Sequence, residues 1–219
     1  MLVKITSALF ILLLSSGIAN AQFELIEKGA ERILISLSDG NSVNSADFTD
    51  LKNLLSSDME KDQSGSTHLT NQQSIDSLKN HLIEFESELK SIPTDSAFVL
   101  FNDWYLHFQN LFYEYSKQKF FSSDKTKILF FSTSMSCYCT LKMSREQTVD
   151  LLKYVAENSD KYDYWIIDSY WHNELQIEYE TLFAPSVIAF DSNNQVLYKI
   201  EHEEKMLSLL SDYLLSIKN

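Results

Sequence analysis

The chain of 219 residues has few of the residues that usually interrupt or cross-link a protein: four glycines, two prolines and two cysteines. No glycine follows Gly65. The second half therefore cannot build a glycine-rich loop that cradles phosphate groups. The H-E-x-x-H, paired Cys-x-x-Cys and G-x-S-x-G patterns are also absent. These absences argue against a nucleotide-binding loop, a zinc site and a serine-hydrolase nucleophile elbow.

The two cysteines, Cys137 and Cys139, are separated by a single residue. A disulfide between them would close a very small loop and would remove little entropy from the unfolded chain. Such a pair is hard to explain as a structural cross-link. The spacing therefore indicates thiol chemistry or metal binding.

Positive charge is scarce, with 18 Lys and Arg against 31 Asp and Glu and a formal net charge of −13. No cluster of basic residues reverses this locally. This charge argues against nucleic acid and anionic membrane surfaces as partners, because both would be repelled. Hydrophobic residues make up 44% of the chain, which is enough for a buried core and too much for a disordered protein.

The first 21 residues are predicted to be a cleaved export signal. Lys4 precedes an apolar run over residues 5–18, and Ala19-Asn20-Ala21 has the small-x-small pattern of a cleavage site. The run is shorter than the roughly 20 residues that span a bilayer, which favours cleavage over an uncleaved anchor. We expect a periplasmic or secreted protein without stable membrane insertion, in a compartment where cysteines can be oxidised.

Residues 22–123 are predicted to form a mainly helical region. Apolar residues recur at helical spacing in four segments, separated by Asp39-Gly40-Asn41, by a polar stretch over residues 61–70 and by Pro93. Ser45 or Asp47 is the candidate cap of the second helix. An aromatic stripe in the fourth helix is interpreted as core rather than as a ligand site: Phe101, Trp104, Tyr105, Phe108, Phe112 and Tyr115.

Residues 124–219 have a different pattern, with short continuous apolar runs typical of buried strands. Strands are predicted at 128–131, 164–167, 187–190 and 196–200, and the last two form a hairpin around Asp191-Ser192-Asn193-Asn194. Helices are predicted at 144–158, 172–181 and 203–217. The order is β-α-β-α-β-β-α.

This order, together with two local motifs, resembles the thioredoxin superfamily over about 95 residues. Phe131-Ser132-Thr133-Ser134-Met135-Ser136-Cys137-Tyr138-Cys139 is similar to the F-W-A-x-W-C-x-x-C segment at the start of a helix. Phe183-Ala184-Pro185 before an apolar strand is similar to the segment around the family's proline. The resemblance implies an α/β fold with a central mixed sheet flanked by helices, a cis Ala184–Pro185 bond and thiol-disulfide exchange.

The motif departs from the family at its reactive position. An ungapped alignment places Ser136 at the family's nucleophilic cysteine and Cys139 at its resolving cysteine. Two alternatives follow. Either Cys137 has taken over as the nucleophile, or the usual chemistry is lost and the fold serves as a noncatalytic binding or adaptor protein.

In the first alternative, Cys137 is the attacking thiol and Cys139 the resolving thiol. A helix N-terminus stabilises a thiolate, and the more N-terminal cysteine experiences this effect most strongly. Disulfide formation between the two would close a small strained ring, which predicts oxidase or isomerase behaviour. Ala184, Pro185 and Tyr138 are the candidate substrate-binding residues, with protein thiols or disulfides as partners and no cofactor.

A third hypothesis is binding of Cu(I), a soft ion that accepts few ligands. Cys137 and Cys139 would be its thiolate ligands, and Met135 or Met143 could add a thioether. His172 is the nearest histidine in the predicted fold, although a solvated or capping role explains it more simply. No metal site is assigned on this basis.

Overall fold

The computed structural model describes residues 22–57 and 72–217. The predicted signal peptide and the predicted polar loop over residues 61–70 lie outside the described residues. The chain divides into two compact units, one extending to Ala97 and the other beginning at Phe98.

The first unit is helical in its described parts, as the sequence predicts. Helix α1 covers residues 22–38, and α2 (Ser45–Ser57) and α3 (Gln72–Glu88) follow. Gly40 ends the first helical segment with a φ of +72°, a left-handed conformation that glycine adopts at little cost. The side chain of Asn44, rather than Ser45 or Asp47, caps α2 by accepting a hydrogen bond from the Ala46 N–H at 3.0 Å.

The predicted fourth helix is divided into two. Helix α4 (Thr94–Leu111) begins directly after Pro93, and α5 (Tyr113–Ser122) begins after Phe112 leaves the helical conformation. The aromatic stripe is buried except for Tyr115, and successive rings contact one another along the helix. Phe101 stacks on Trp104 and Trp104 on Phe108, with centroids 5.2 and 6.0 Å apart, and Phe108 packs at a tilt against Phe112 at 5.1 Å. Its interpretation as core is confirmed.

The second unit contains a four-stranded sheet in the order β2-β1-β3-β4. Its strands are β1 (Thr126–Ser132), β2 (Tyr162–Asp168), β3 (Ser186–Phe190) and β4 (Val196–Glu201). β1 runs parallel to β2 and antiparallel to β3, and β3 pairs with β4 as an antiparallel hairpin. The three helices after β1 are α6 (Tyr138–Glu157), α7 (Glu174–Glu178) and α8 (Met206–Ser216). The predicted order β-α-β-α-β-β-α is observed.

Helices cover both faces of this sheet. One face carries an aromatic-rich core to which β1 contributes Leu129 and Phe131, and β2 contributes Trp165. Alternate strand residues such as Ile128 and Phe130 are buried on the opposite side, where α6 and α8 contact each other and the strands. The core on the first face also contains Tyr113 and Phe120 of α5.

The compact units divide at Ala97/Phe98, so α5 belongs to the same unit as the sheet whose core it joins. The predicted domain boundary lies instead between residues 123 and 124. The extent of the thioredoxin-like domain as an independently folding piece stays a prediction. The predicted fold class is confirmed: a central mixed sheet flanked by helices, with the strand order and directions of a thioredoxin-like fold. No helix among the described residues is sufficiently long and apolar to span a membrane.

Candidate functional site

The loop that carries the cysteines leaves the carboxyl end of β1 and is anchored by buried hydroxyl groups. The Ser132 hydroxyl lies 2.8 Å from that of Ser144 on α6 and 3.3 Å from that of Thr148. The Ser144 hydroxyl also accepts a hydrogen bond from the Thr133 N–H at 3.1 Å. Since buried polar groups are costly when unpaired, this cluster holds the start of the loop against the first turns of α6.

Asp168, at the end of the neighbouring strand β2, holds the next part of the loop. One oxygen of its buried carboxylate, Oδ1, accepts hydrogen bonds from the N–H groups of Ser134 and Tyr170, both at 3.1 Å. Thr133 adds a local turn, because its hydroxyl donates to the Met135 carbonyl at 3.0 Å. The backbone before the cysteines is therefore fixed from two strands.

Cys137 occupies the N-cap position of α6, with an extended backbone (φ −65°, ψ 157°). Its carbonyl accepts the N–H of Leu141 at 3.0 Å and so begins the helical hydrogen bonds. The Sγ atoms of Cys137 and Cys139 are 2.8 Å apart, and the Cys137 Sγ lies 3.2 Å from the Thr140 hydroxyl. Both cysteines are free and exposed.

These contacts lower the pKa of the Cys137 thiol to about 6 from an ordinary value of 9.0. The largest cause is the hydrogen bond from the Cys139 side chain, followed by the Thr140 hydroxyl and then by backbone N–H groups of α6. All of these donors stabilise the thiolate more than the thiol. At neutral pH, Cys137 is therefore mainly ionised.

A groove of about 310 Å³ lies beside the cysteine loop. Its lining includes Ser136 and Thr140 from the cysteine loop and the first turn of α6, together with Ala184 and His202. Several exposed apolar side chains also line the groove: Met135, Tyr170, Leu182 and Phe183, each at least 50% exposed. Large apolar side chains gathered in this way mark a surface suited to a partner.

The predicted substrate-binding residues fall at different places. The Ala184–Pro185 peptide bond is cis, which is the isomer that the resemblance implies. Ala184 lines the groove, whereas Pro185 is buried and does not line it. Tyr138 is the first residue of α6 and is 79% exposed between the two cysteines. The roles of these residues stay predictions.

Of the residues considered for a Cu(I) site, Cys137 and Cys139 are in contact with each other. Among the described residues, no group of three or more His, Cys, Asp or Glu side chains could hold a metal ion. Met135 is exposed on the cysteine loop, and Met143 is half-buried in α6. The ring of His172 stacks on Tyr113 with centroids 3.8 Å apart, and its Nδ1 faces the Glu174 carboxylate at 3.5 Å. These contacts give His172 a packing role.

Sequence reasoning missed three residues of the site. Thr140 could have been identified, because a hydroxyl three positions after an N-cap cysteine lies on the same side of the first helical turn. Asp168 and His202 have no local signal, since they reach the site only through the pairing of the strands.

No family model matches the chain, and no curated protein matches it. Solved structures with similarity include three thioredoxins. That of Drosophila melanogaster (the germline-specific thioredoxin Deadhead) is 23% identical, covers 47% of this chain and 92% of its own, and has a TM-score of 0.38. The thioredoxin of Trypanosoma brucei brucei is 14% identical, and the match covers 47% of this chain and 83% of the thioredoxin, with a TM-score of 0.37. Mitochondrial thioredoxin 3 of Saccharomyces cerevisiae is 13% identical, with 47% and 87% covered and a TM-score of 0.35. The assignment of a thioredoxin-like fold rests on the strand order and directions described above.

Proposed function

We propose that this protein performs thiol-disulfide exchange with protein thiols or disulfides through Cys137 and Cys139. The observation that supports this most directly is the Cys137 thiol at the N-terminus of α6, whose pKa is lowered to about 6, with a second thiol in contact with it. A thiolate is the attacking species in disulfide exchange. The arrangement thus supplies an ionised nucleophile and a resolving group at one exposed position.

The reaction has two steps. The Cys137 thiolate attacks one sulfur of a partner disulfide, forms a mixed disulfide and releases the other partner sulfur as a thiolate. Cys139, after losing its proton, then attacks the Cys137 sulfur, forms the Cys137–Cys139 disulfide and releases the second partner thiolate. The partner disulfide is reduced and the protein dithiol is oxidised, and the reverse sequence oxidises a partner dithiol.

The groove beside the cysteine loop is the proposed partner surface. Its apolar rim, which includes Leu182 and Phe183, suits an extended protein segment with apolar side chains next to its cysteine. Ala184, Pro185 and Tyr138 are the proposed substrate-binding residues, and of these Ala184 lines the groove. The net charge of −13 makes a nucleic acid an unfavourable occupant.

Export completes the proposal, because a periplasmic or secreted location keeps a cysteine pair available for oxidation. The support is the sequence pattern of residues 1–21. Intact-mass measurement of the protein recovered from the periplasm or the medium would give a chain beginning at Gln22. Recovery of an unprocessed chain from the cytosol would contradict this part of the proposal.

The redox equilibrium of the Cys137/Cys139 pair tests the function. Purified protein is equilibrated across a series of reduced and oxidised glutathione, quenched with acid and alkylated with a reagent that shifts gel mobility. We expect a reversible transition between two free thiols and one intramolecular disulfide. Ser136→Ala, which alters the neighbouring residue but neither thiol, should show the same transition, whereas Cys139→Ser should lose it. Thiols that stay reduced across the series would overturn the proposal and favour a noncatalytic adaptor.

A further inference from the structure

The loop that precedes Pro185 is held by the end of strand β4. The Oε2 atom of Glu201 accepts hydrogen bonds from the N–H groups of Leu182 and Phe183, at 2.7 and 3.2 Å. This contact follows from the strand pairing, because Ser186 at the start of β3 is paired with Glu201 at the end of β4. The two backbone donors before Ala184 are therefore already used within the chain.

His202, the next residue, uses two carbonyl groups of the same loop. Its N–H donates to the Pro185 carbonyl at 2.8 Å, and its ring Nδ1 lies 3.1 Å from the Ala184 carbonyl. A carbonyl oxygen only accepts hydrogen bonds, so Nδ1 must carry the proton in this contact. The ring thereby engages the carbonyl of Ala184, a proposed substrate-binding residue whose backbone we expect to pair with an extended partner segment.

The backbone of His202 is unusual, because its φ of +48° lies in the left-handed region that non-glycine residues seldom adopt. Glycine would take this conformation more easily, yet the chain carries a large side chain here that lines the groove. The side chain is also exposed, so core packing does not account for it. In the groove, this side chain hydrogen-bonds the Ala184 carbonyl.

We infer that His202 is a specificity-determining residue that masks the Ala184 carbonyl and so slows exchange with extended peptide disulfides, but not exchange with small disulfides. This inference rests on the proposed exchange reaction. A peptide that pairs with the Ala184 carbonyl must first displace the imidazole. A small disulfide reaches Cys137 without that pairing and is unaffected.

The test compares two disulfides reacting with the reduced protein. One is bis(2-hydroxyethyl) disulfide, and the other is a disulfide-linked dimer of a short synthetic peptide with apolar residues around a central cysteine. Oxidation of Cys137 and Cys139 is measured as the loss of thiols that can be alkylated. The measurement is made on wild type, His202→Gly and His202→Ala. The control is Glu180→Gly, which also relaxes a left-handed non-glycine residue (φ +54°) but does not line the groove.

Both His202 variants should react about 3- to 10-fold faster with the peptide disulfide, the factor expected for one net hydrogen bond. The ratio of the peptide rate to the small-disulfide rate should therefore rise by this factor in both His202 variants, whereas Glu180→Gly should leave the ratio unchanged. The alanine variant keeps the left-handed backbone and so separates loss of the ring from gain of glycine. An equal change with both disulfides, no change, or a slower peptide reaction would overturn the inference.

Failure of the exchange reaction itself is distinguished by a binding measurement. The peptide is prepared with serine in place of cysteine and titrated into wild type and His202→Ala, with the ¹³C signal of the Ala184 carbonyl as the readout. Tighter binding to the variant, with a perturbed Ala184 signal, supports masking even where no disulfide reacts. Equal affinities in the two proteins would refute masking independently of any redox chemistry.

Discussion

Reactivity of Cys137 should be half-maximal near pH 6, far below the range of an ordinary cysteine. The cause is the set of hydrogen-bond donors around its sulfur. The Cys139 thiol lowers the pKa most, and the Thr140 hydroxyl has the second-largest effect. The thiolate has the depressed pKa, so reactivity is present above this value and is lost as the pH falls through about 6.

The size of the effect depends strongly on the pH of the assay. Lowering a thiol pKa from about 9 to about 6 raises the thiolate fraction at pH 7 from about 1% to about 90%, roughly 90-fold. The less basic thiolate is also a poorer nucleophile, by about 20-fold for a Brønsted coefficient near 0.45. The net gain is only about 4-fold at pH 7, but it rises to about 20-fold at pH 6. The midpoint of the profile is thus more informative than a single rate.

The assay measures the rate of iodoacetamide alkylation of Cys137 between pH 4 and 10, with the modified residue identified by peptide mass spectrometry. Thr140→Val removes one donor without changing the shape of the side chain and should raise the midpoint. Cys139→Ala removes the largest contribution and should raise it further. Ser136→Ala is the matched control, because this side chain is not among the causes of the shift.

Two results would refute this reasoning. A wild-type midpoint in the ordinary range above pH 8 would show that the donors do not stabilise the thiolate. A midpoint near 6 that does not move in Cys139→Ala would show that the contact between the thiols is not its main cause.

Three further predictions follow from the structure. Cys139→Ser should accumulate a mixed disulfide with partner proteins on non-reducing gels, whereas Cys137→Ser should trap none, and equal trapping by both would contradict the assigned order of attack. Asp168→Ala should lower the free energy of unfolding by about 1–3 kcal/mol in urea denaturation, because two backbone N–H groups lose their acceptor. Asp168→Asn keeps an acceptor oxygen and should lower the free energy of unfolding by less. Equal losses in the two variants would contradict this prediction. Lys127 is fully buried, and its ammonium group donates hydrogen bonds to carbonyl groups that include Ser123 O at 2.8 Å. Burial is the main cause of the lowered pKa of this lysine. The free energy of unfolding of the wild type, compared with that of Lys127→Met, should therefore increase as the pH rises towards about 10.4, because the charged lysine is disfavoured only in the folded state. A difference between the two proteins that does not change with pH would refute this.

The strands were predictable because the sheet is covered by helices on both faces. A strand that is buried on both sides has a continuous apolar run, and the runs at 128–131, 164–167 and 187–190 all lie within observed strands. The ends of the helices were harder to predict from the sequence. The helix predicted at 172–181 is observed only over Glu174–Glu178. The predicted fourth helix is interrupted at Phe112, where the sequence has no proline or glycine to indicate a break.

The candidate site divides in the same way. The sequence by itself determined the neighbours of the sulfur atoms, since Cys137, Cys139 and Thr140 lie within one helical turn and their contacts are local. It also placed Pro185 before a buried strand. Only the tertiary structure decided that Asp168 holds the cysteine loop and that His202 covers Ala184, because these contacts join residues 34 and 18 positions apart. Such contacts depend on the register of paired strands, and a one-residue shift of that register would turn the same side chains to the opposite face of the sheet.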